Sequence, residues 1–390
     1  MTWEQTANES KPFVNCISTA TIKFSSLPFE IASLIMNQSV PDRPDHLPTA
    51  SIETLKQRSL LLSSVRNFFE SQGYWEVETP ILSRDSVVDA HIDPFTADWH
   101  SEEGRTIDQT VEQTTRYLQT SPEFAMKRLL TAGADQIYQI THAFRQAERG
   151  TLHNPEFTML EWYRLGETHL DQMTFVESLV RNIYDAAASV SDQSTRTMLP
   201  SDQFVRFTYE EAFLKYANLS ALNSSAETFQ QAAIRNQISV PAGFDRQDCL
   251  SWQNLFLVEL VEPALCQWGA VFLYDYPPEQ AALACIRRDD PLAPQGVAER
   301  FELYLQGIEI CNGYHELTDP IELRTRIKHQ TALRLLENRP ALPEESYLLQ
   351  AMEAGLPACA GTALGLDRLV MLALGKQSLH DVTAFPFERA

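Results

Sequence analysis

Two kinds of side chain in this sequence stand where they could manage charge. Arg145 closes the stretch DQIYQITHAFR and opens a loop that runs to His153 in HNPEF; Arg368 lies in GLDRL, at the start of a helical pattern. A guanidinium is a rigid fork of donors, suited to bridging two anions that repel one another. A helix N-terminus adds its own attraction for anions at Arg368. The second kind is acidic. Glu302 and Glu309 belong to RFELYLQGIEICNGYHEL, whose alternation breaks at Gln306 and Gly307. If those two residues form the turn, Tyr304 pairs with Glu309. Glu302 is then the diagonal neighbour of Glu309 on the same face, about 7–8 Å away by backbone. Two converging carboxylates suit Mg2+, which prefers oxygen ligands and shares them with phosphates. Acids also stand at Glu123 in TSPE, Glu161 in LEWY and Glu316 in YHEL. Carboxylates are the natural partners of ammonium groups in a pocket, where burying them unpaired would be costly. Taken singly, each residue also has a plain reading: Arg145 as a surface ion pair, His153 as a structural histidine, Phe157, Tyr163 and Tyr314 as core aromatics, Ala363 as packing.

The elements that must position these residues can be read from pattern and punctuation. SIETLKQRSLLLSSVRNFFESQG predicts an amphipathic helix with Leu55, Leu62, Val65 and Phe69 on one face, stopped at Gly73. YWEVETP reads as a short strand ended by Pro80, and SPEFAMKRLLTAG as a helix capped by Ser121 with Pro122 in its first turn. DQIYQITHAFR and EFTMLEWYRL are strands. Two capping boxes, Thr208 with Glu211 and Ser224 with Glu227, open helices in a central region. VFLYDYP and AALACI read as strands around a Pro-rich turn, and DPIELRTRIKHQTALRLLE as a helix capped by Asp319. GTALGLDRLVMLALG turns from a strand into a short helix that stops at Gly375. Helices and strands come in blocks, which favours an α+β domain with a mostly antiparallel sheet.

Composition narrows the class. The 390 residues are 44% hydrophobic and carry a net charge of -21, a globular composition too acidic for a broad electrostatic grip on nucleic acid. A local basic site within an acidic shell stays compatible with it. No apolar run is long enough for a membrane span, and the N-terminus MTWEQTANESKPF lacks the form of a signal peptide. The six cysteines are scattered without a CxxC pair, and read as reduced thiols in a cytoplasmic protein. Residues 1–50 read as an extension ending in the Pro-rich VPDRPDHLPTAS; Ile22 to Met36 could form one small element, not a barrel.

Three segments together carry a resemblance: the helix–strand unit ending at Pro80, FRQAERGTLHNPEFTMLEWYR, and ALGLDRL. In that order they resemble the three signature motifs of class II aminoacyl-tRNA synthetases. TSPEFAMKRLL, HNPEFTMLEWY, RFELYLQGIEICNGYHELTD and GTALGLDRLVMLALG resemble the lysine branch, and in particular its short paralogues without an anticodon-binding barrel. Those paralogues join (R)-β-lysine to translation elongation factor P. The resemblance covers residues 51–390 and implies a class II synthetase-like α+β catalytic domain, an antiparallel sheet flanked by helices with a helical insert at 209–262. It also implies a cytoplasmic, homodimeric ligase that uses ATP and Mg2+, acts on lysine or β-lysine, and does not bind tRNA.

The resemblance assigns roles residue by residue. Arg145 and Arg368 would be catalytic, bridging carboxylate and phosphates; Glu148, His153 and Phe157 would complete the ATP site, with Phe157 on the adenine. Glu302 and Glu309 would hold magnesium. Glu123 would meet the α- or β-amino group, Glu161, Tyr163 and Glu316 the side-chain ammonium, Asn312 the carboxylate, and Tyr314 would form a wall. Two positions depart from the lysyl-tRNA synthetase pattern. Ala147 stands where an acid is common, with Glu148 next to it as a substitute. Ala363 stands where Gly is usual, as in the short paralogues, and one methyl on a pocket floor is worth ~1–3 kcal/mol of discrimination. That favours a β-amino acid. An aspartate pocket would need a cation, and none of these positions supplies one. An atypical lysine–tRNA ligase and a non-catalytic regulatory paralogue remain as alternatives.

Overall fold

A computed structural model describes residues 44–100, 113–191, 197–289 and 293–390. Most of the N-terminal extension, including Ile22 to Met36, therefore lies outside the described residues. Its last residues run along the C-terminal end: Thr49 and Ala50 donate backbone hydrogen bonds to the carbonyls of Ala384 and Thr383.

Helix α1 (Ile52–Ser71) is capped by Ser51, whose hydroxyl accepts from the Thr54 amide. Its buried stripe is Thr54, Leu61, Val65 and Phe69, a heptad-like run; Leu62, expected on that face, packs at its edge. Strands β1 (Trp75–Glu76), β2 (Leu82–Ser83), β3 (Thr96–His100) and β4 (Gln113–Leu118) follow. Helix α2 (Glu123–Thr131) starts one residue later than the sequence suggests: Pro122 is at the cap, and Ser121 is drawn away to accept from the Glu123 amide while donating to Glu161. Strands β5 (Gln136–Phe144) and β6 (Glu156–Leu165) form a hairpin, and α3 (His169–Val190) returns across the sheet. Strand β7 (Val205–Thr208) leads into the insert.

The insert comprises α4 (Tyr209–Tyr216), α5 (Ala226–Arg235), α6 (Cys249–Phe256) and α7 (Glu262–Leu265), the last two joined through a π-helical turn at Leu257–Val261. The Thr208–Glu211 capping box is present. The second box does not form: Ser225, one residue on, is the cap and accepts from the Thr228 amide. Strands β8 (Ala270–Tyr276), β9 (Ile286–Arg287), β10 (Val297–Leu305) and β11 (Ile308–His315) come next. AALACI does not form the full strand expected of it: Ala284 makes an isolated bridge to Glu316, and only Ile286 belongs to a strand, β9. Helices α8 (Pro320–Leu336) and α9 (Tyr347–Gly355), strand β12 (Cys359–Gly365) and helix α10 (Leu366–Ala373) complete the chain.

The main sheet has the order β1-β5-β6-β12-β11-β10-β8-β7, with β9 beside β10. It is antiparallel except at its two edges, where β1 runs parallel to β5 and β7 to β8. Strands β2, β4 and β3 form a separate small sheet. One face of the main sheet is dry. Leu160, Trp162, Phe272, Phe301, Leu303 and Leu364 on it pack against Val65 and Phe69 of α1, Val176 and Leu179 of α3, and Leu369 and Val370 of α10. The other face is roofed only at its ends: by the insert over β8 and β10, and by α2, α8 and α9 over β5 and β6. The opening between those roofs holds the candidate site. Cys249, Cys285, Cys311 and Cys359 are free thiols; Cys266 is not among them, so the reading of six reduced thiols does not hold for the whole set.

Candidate active site

Strand register decides which side chains meet. In antiparallel pairs, opposed residues share a face. Gln139, Glu161, Ala363, Asn312 and Glu302 are successive partners across β5, β6, β12, β11 and β10, forming one row on the open face. Ile137, Tyr163, Gly361, Tyr314 and Arg300 form the next row. The β10–β11 turn is Gln306-Gly307, both at positive φ, as a tight hairpin of this twist requires. Tyr304 pairs with Glu309, as expected from the turn. Beyond it the register shifts between Leu303 and Tyr304, so Glu302 faces Asn312. That bulge was not foreseen. It lets Glu309, Asn312 and Tyr314, with an odd spacing of three and then two, point to one side.

A cavity of about 800 Å³ lies over these rows. Its wall includes Glu123, Arg145, Glu148, His153, Phe157, Glu161, Tyr163, Glu309, Asn312, Tyr314, Glu316, Ala363 and Arg368. Glu302 alone among the expected residues lies beneath the wall. Its oxygens are engaged by Arg300 at 2.5 Å and by the hydroxyls of Tyr276 and Tyr304, each at 2.6 Å.

One end of the cavity is cationic. Arg145 lies 5.1 Å over the Phe157 ring and pairs with Glu148 at 3.1 Å, so the acid next to Ala147 does reach the arginine. Arg368 donates to the carbonyls of Leu152 and Glu309 and to His153 Nε2 at 2.7 Å. Burial, and then the Arg368 charge, hold the His153 pKa below its ordinary value, so the imidazole is neutral and serves as acceptor. Asp367 anchors the helix that carries Arg368. It accepts from the Thr158 amide and pairs with Arg58 of α1 at 2.6 Å. Glu309 faces this end. Its carboxyl pKa is raised by enclosure and by Glu302, against the pull of Arg368.

The other end is acidic. Glu161 is buried, accepting from Tyr163 at 2.6 Å and Ser121 at 2.8 Å. Burial and the neighbouring Glu123 push its pKa up to about 7. Glu316 is equally buried and is pushed up to about 8, by burial first, with Lys127 opposing. Lys127 was missed in the sequence. It stands one helical turn after Glu123, 2% exposed, with Nζ 2.5 Å from Glu123 and 2.6 Å from Glu316. None of the expected positions supplies a cation, but Lys127, which is not among them, brings one to this pocket. The i,i+4 spacing of Glu123 and Lys127 was the available signal. Arg300 and Glu262, which approaches Tyr304 at 3.2 Å from the insert, were also missed, and nothing local in the sequence marks Glu262.

Gly361 sets the shape of the acidic end. A Cβ there would stand 2.3 Å from Tyr163 Cε1 and 2.7 Å from Glu316 Oε1, so only glycine fits beneath them. Among the described residues, no group of three or more His, Cys, Asp or Glu side chains is arranged as a metal site, and no helix is long and apolar enough to cross a membrane.

Comparisons with known proteins give the family. The family profile of class II tRNA synthetases (D, K and N) matches residues 47–389. A protein of Vibrio cholerae serotype O1 named elongation factor P–(R)-β-lysine ligase is 41% identical over 346 residues, covering 89% of this chain and 99% of that relative. Proteins of the same name from Proteus mirabilis and Salmonella typhi are each 39% identical, over 347 and 344 residues, covering 98% of those relatives.

Proposed function

Starting from the fact that the chain belongs to the class II tRNA synthetases of the D, K and N group, we propose that it is the ligase that activates (R)-β-lysine with ATP and transfers it to a lysine of translation elongation factor P. The observation that carries this reading is the polarity of the cavity, three buried carboxylates at one end and two arginines at the other. A diamino acid fits the first, and a nucleoside triphosphate the second.

The residues then divide the work. Glu161, Tyr163 and Glu316 hold the side-chain ammonium, Glu123 the α- or β-amino group, and Asn312 and Tyr314 the body of the substrate over the small floor of Ala363. The substrate carboxylate, turned toward Arg145, attacks the α-phosphorus of ATP. The bond to pyrophosphate breaks and an aminoacyl-adenylate forms. Arg145 neutralises the two anions as they meet, Arg368 and His153 hold the leaving phosphates, and Phe157 stacks on adenine. Glu148 keeps Arg145 oriented. The acceptor ε-amino group then attacks the mixed anhydride and AMP leaves.

The donors fit Mg2+ at one place. Among the described residues the Glu309 carboxylate accepts no hydrogen bond, and a second carboxylate, Glu302, lies close enough to raise its pKa. Glu309 would hold the ion, and Glu302 would add the lone pair left open by its three donors. The ion would supply charge neutralisation for the phosphates. A translation factor as acceptor places the reaction in the cytoplasm. Exposed Ile52, Leu60 and Trp75, on α1 and β1, favour a homodimer through that edge. The net charge of -21 disfavours tRNA as acceptor.

Incubation with ATP, elongation factor P and each lysine isomer, followed by intact-mass measurement, tests the reading. The factor is expected to gain one lysyl residue, more readily from the β-isomer. Label recovered only on tRNA, or no amino-acid-dependent pyrophosphate release, would overturn it.

A further inference from the structure

Lys127 is a charged residue at the acidic end that the proposed reaction does not use. It is enclosed, so it offers nothing to solvent, and both of its nearest partners are carboxylates of the substrate pocket. Its ammonium also lies 5.8 Å from the centre of the Tyr163 ring, the aromatic whose hydroxyl orients Glu161. It thus ties α2, which carries Glu123, to the residue that follows β11, Glu316. We propose that Lys127 is a specificity-determining positioning residue: a permanent internal cation that holds Glu123 and Glu316 in place and matches the pocket's charge to a substrate bearing two ammonium groups.

The inference rests on the functional reading above and extends it by charge balance. When all three are ionised, Glu123, Glu161 and Glu316 bring three negative charges, and Lys127 brings one positive, leaving two. A lysine or β-lysine brings two ammonium groups and closes the balance. An amino acid with one ammonium, such as norleucine, leaves one of these carboxylates without a cation: ionised and unpaired, which is costly, or protonated. The other groups facing the cluster do not replace Lys127. Ser121, Tyr163 and Tyr314 are neutral donors; Cys285 donates to the Glu316 carbonyl, and Cys359 is a buried thiol. Arg326 of α8 is committed to Glu322 and to the carbonyls of Ala282 and Ala284, and Arg300 to Glu302 and the carbonyl of Gln280. Lys127 is among the groups that pull Glu161 and Glu316 down from still higher pKa values. Removing it therefore drives protons onto these carboxylates, and a protonated carboxyl no longer holds an ammonium.

The test compares wild type with K127M and K127R. Amino-acid-dependent ATP–pyrophosphate exchange is followed with (R)-β-lysine, lysine and norleucine, from about pH 6.5 to about pH 9.5. An infrared pH titration of the carboxyl groups is run without substrate. For K127M, the KM for the diamino acid near neutral pH is expected to rise about tenfold or more, since each unit of pKa shift is a tenfold loss of ionised carboxylate. Its kcat changes much less, and the deficit shrinks as pH rises. The preference over norleucine falls. The infrared titration shows an extra carboxyl still protonated where wild type is ionised, and K127R behaves nearly as wild type in all of this. A K127M protein with the wild-type KM profile and carboxyl titration overturns the proposal. So does one that loses kcat and KM alike at every pH with unchanged carboxyls, because that is merely structural damage. If wild type activates no diamino acid while K127M retains the extra protonated carboxyl, the functional reading fails and the charge role of Lys127 stands.

Discussion

Replacing Gly361 by alanine adds one methyl in the middle of β12, and its cost can be worked from three distances. The new carbon would lie 2.3 and 2.4 Å from two ring carbons of Tyr163 and 2.7 Å from Glu316 Oε1. Ordinary carbon–carbon contact is about 3.5–4.0 Å, so the ring must move by more than about 1 Å. Tyr163 is buried, and its hydroxyl is fixed on Glu161 at 2.6 Å, so such a shift breaks that hydrogen bond or bends the strand. Overpacking of this size costs ~1–3 kcal/mol in stability. Displacing Tyr163 and Glu316 together loses at least one hydrogen bond to an ionised group, about 1.5–3 kcal/mol, or roughly 10–150-fold in the KM for the diamino acid. Gly365→Ala is the contrast on the same strand, because its Cβ meets nothing closer than 3.7 Å. Denaturant melts of both variants, with exchange assays on Gly361→Ala, provide the check. If Gly361→Ala melts like Gly365→Ala and keeps the wild-type KM, the glycine is not shaping the pocket.

Further predictions concern pH and the anchoring of the motifs. Glu161, at about 7, and Glu316, at about 8, lie well above the carboxylate range of an unfolded chain. Between about pH 4.5 and pH 8 the native state therefore binds more protons than the unfolded one. The stability contributed by these groups is full below the unfolded pKa and is lost as pH rises through the folded values, at about 1.4 kcal/mol per pH unit for each proton. Glu161→Gln, which mimics the protonated form, should thus gain stability relative to wild type as pH rises from about 5 to 8; denaturant midpoints that run in parallel would refute this. Arg58→Ala should destabilise by ~3–5 kcal/mol, because it strands Asp367 in the interior; thermal unfolding within a degree of wild type would show the pair to be dispensable.

The parts legible in the sequence are those governed by local rules. EFTMLEWYRL forms β6 over Glu156–Leu165, and the turn at Gln306-Gly307 sets the pairing of Tyr304 with Glu309, because two residues at positive φ leave the flanking strands one register. Asp319 caps α8 as its position before Pro320 demands. What escaped depends on tertiary contacts. Ser121 gives up the role of cap to reach Glu161 across the sheet. The register shift near Tyr304 is a matter of strand pairing, and AALACI is only partly strand: its backbone bonds to His315, Leu317 and Glu299 around one bridge to Glu316, and only its last residue joins β9. Lys127 looks like an ordinary basic residue on a helix until the fold brings Glu316 against it.

The row that runs from Gln139 through Glu161, Ala363 and Asn312 to Glu302 makes the sheet a ruler. Neighbouring strands are about 4.8 Å apart, and that interval is fixed by backbone hydrogen bonds, not by the side chains that read the ligand. A molecule lying across the strands is therefore measured in whole steps, and a chain with one methylene more or fewer falls between graduations. In the middle of the scale stands Ala363 on β12, an uncharged mark between Glu161 and Asn312. A change of preferred amino acid within this scaffold would begin on that strand.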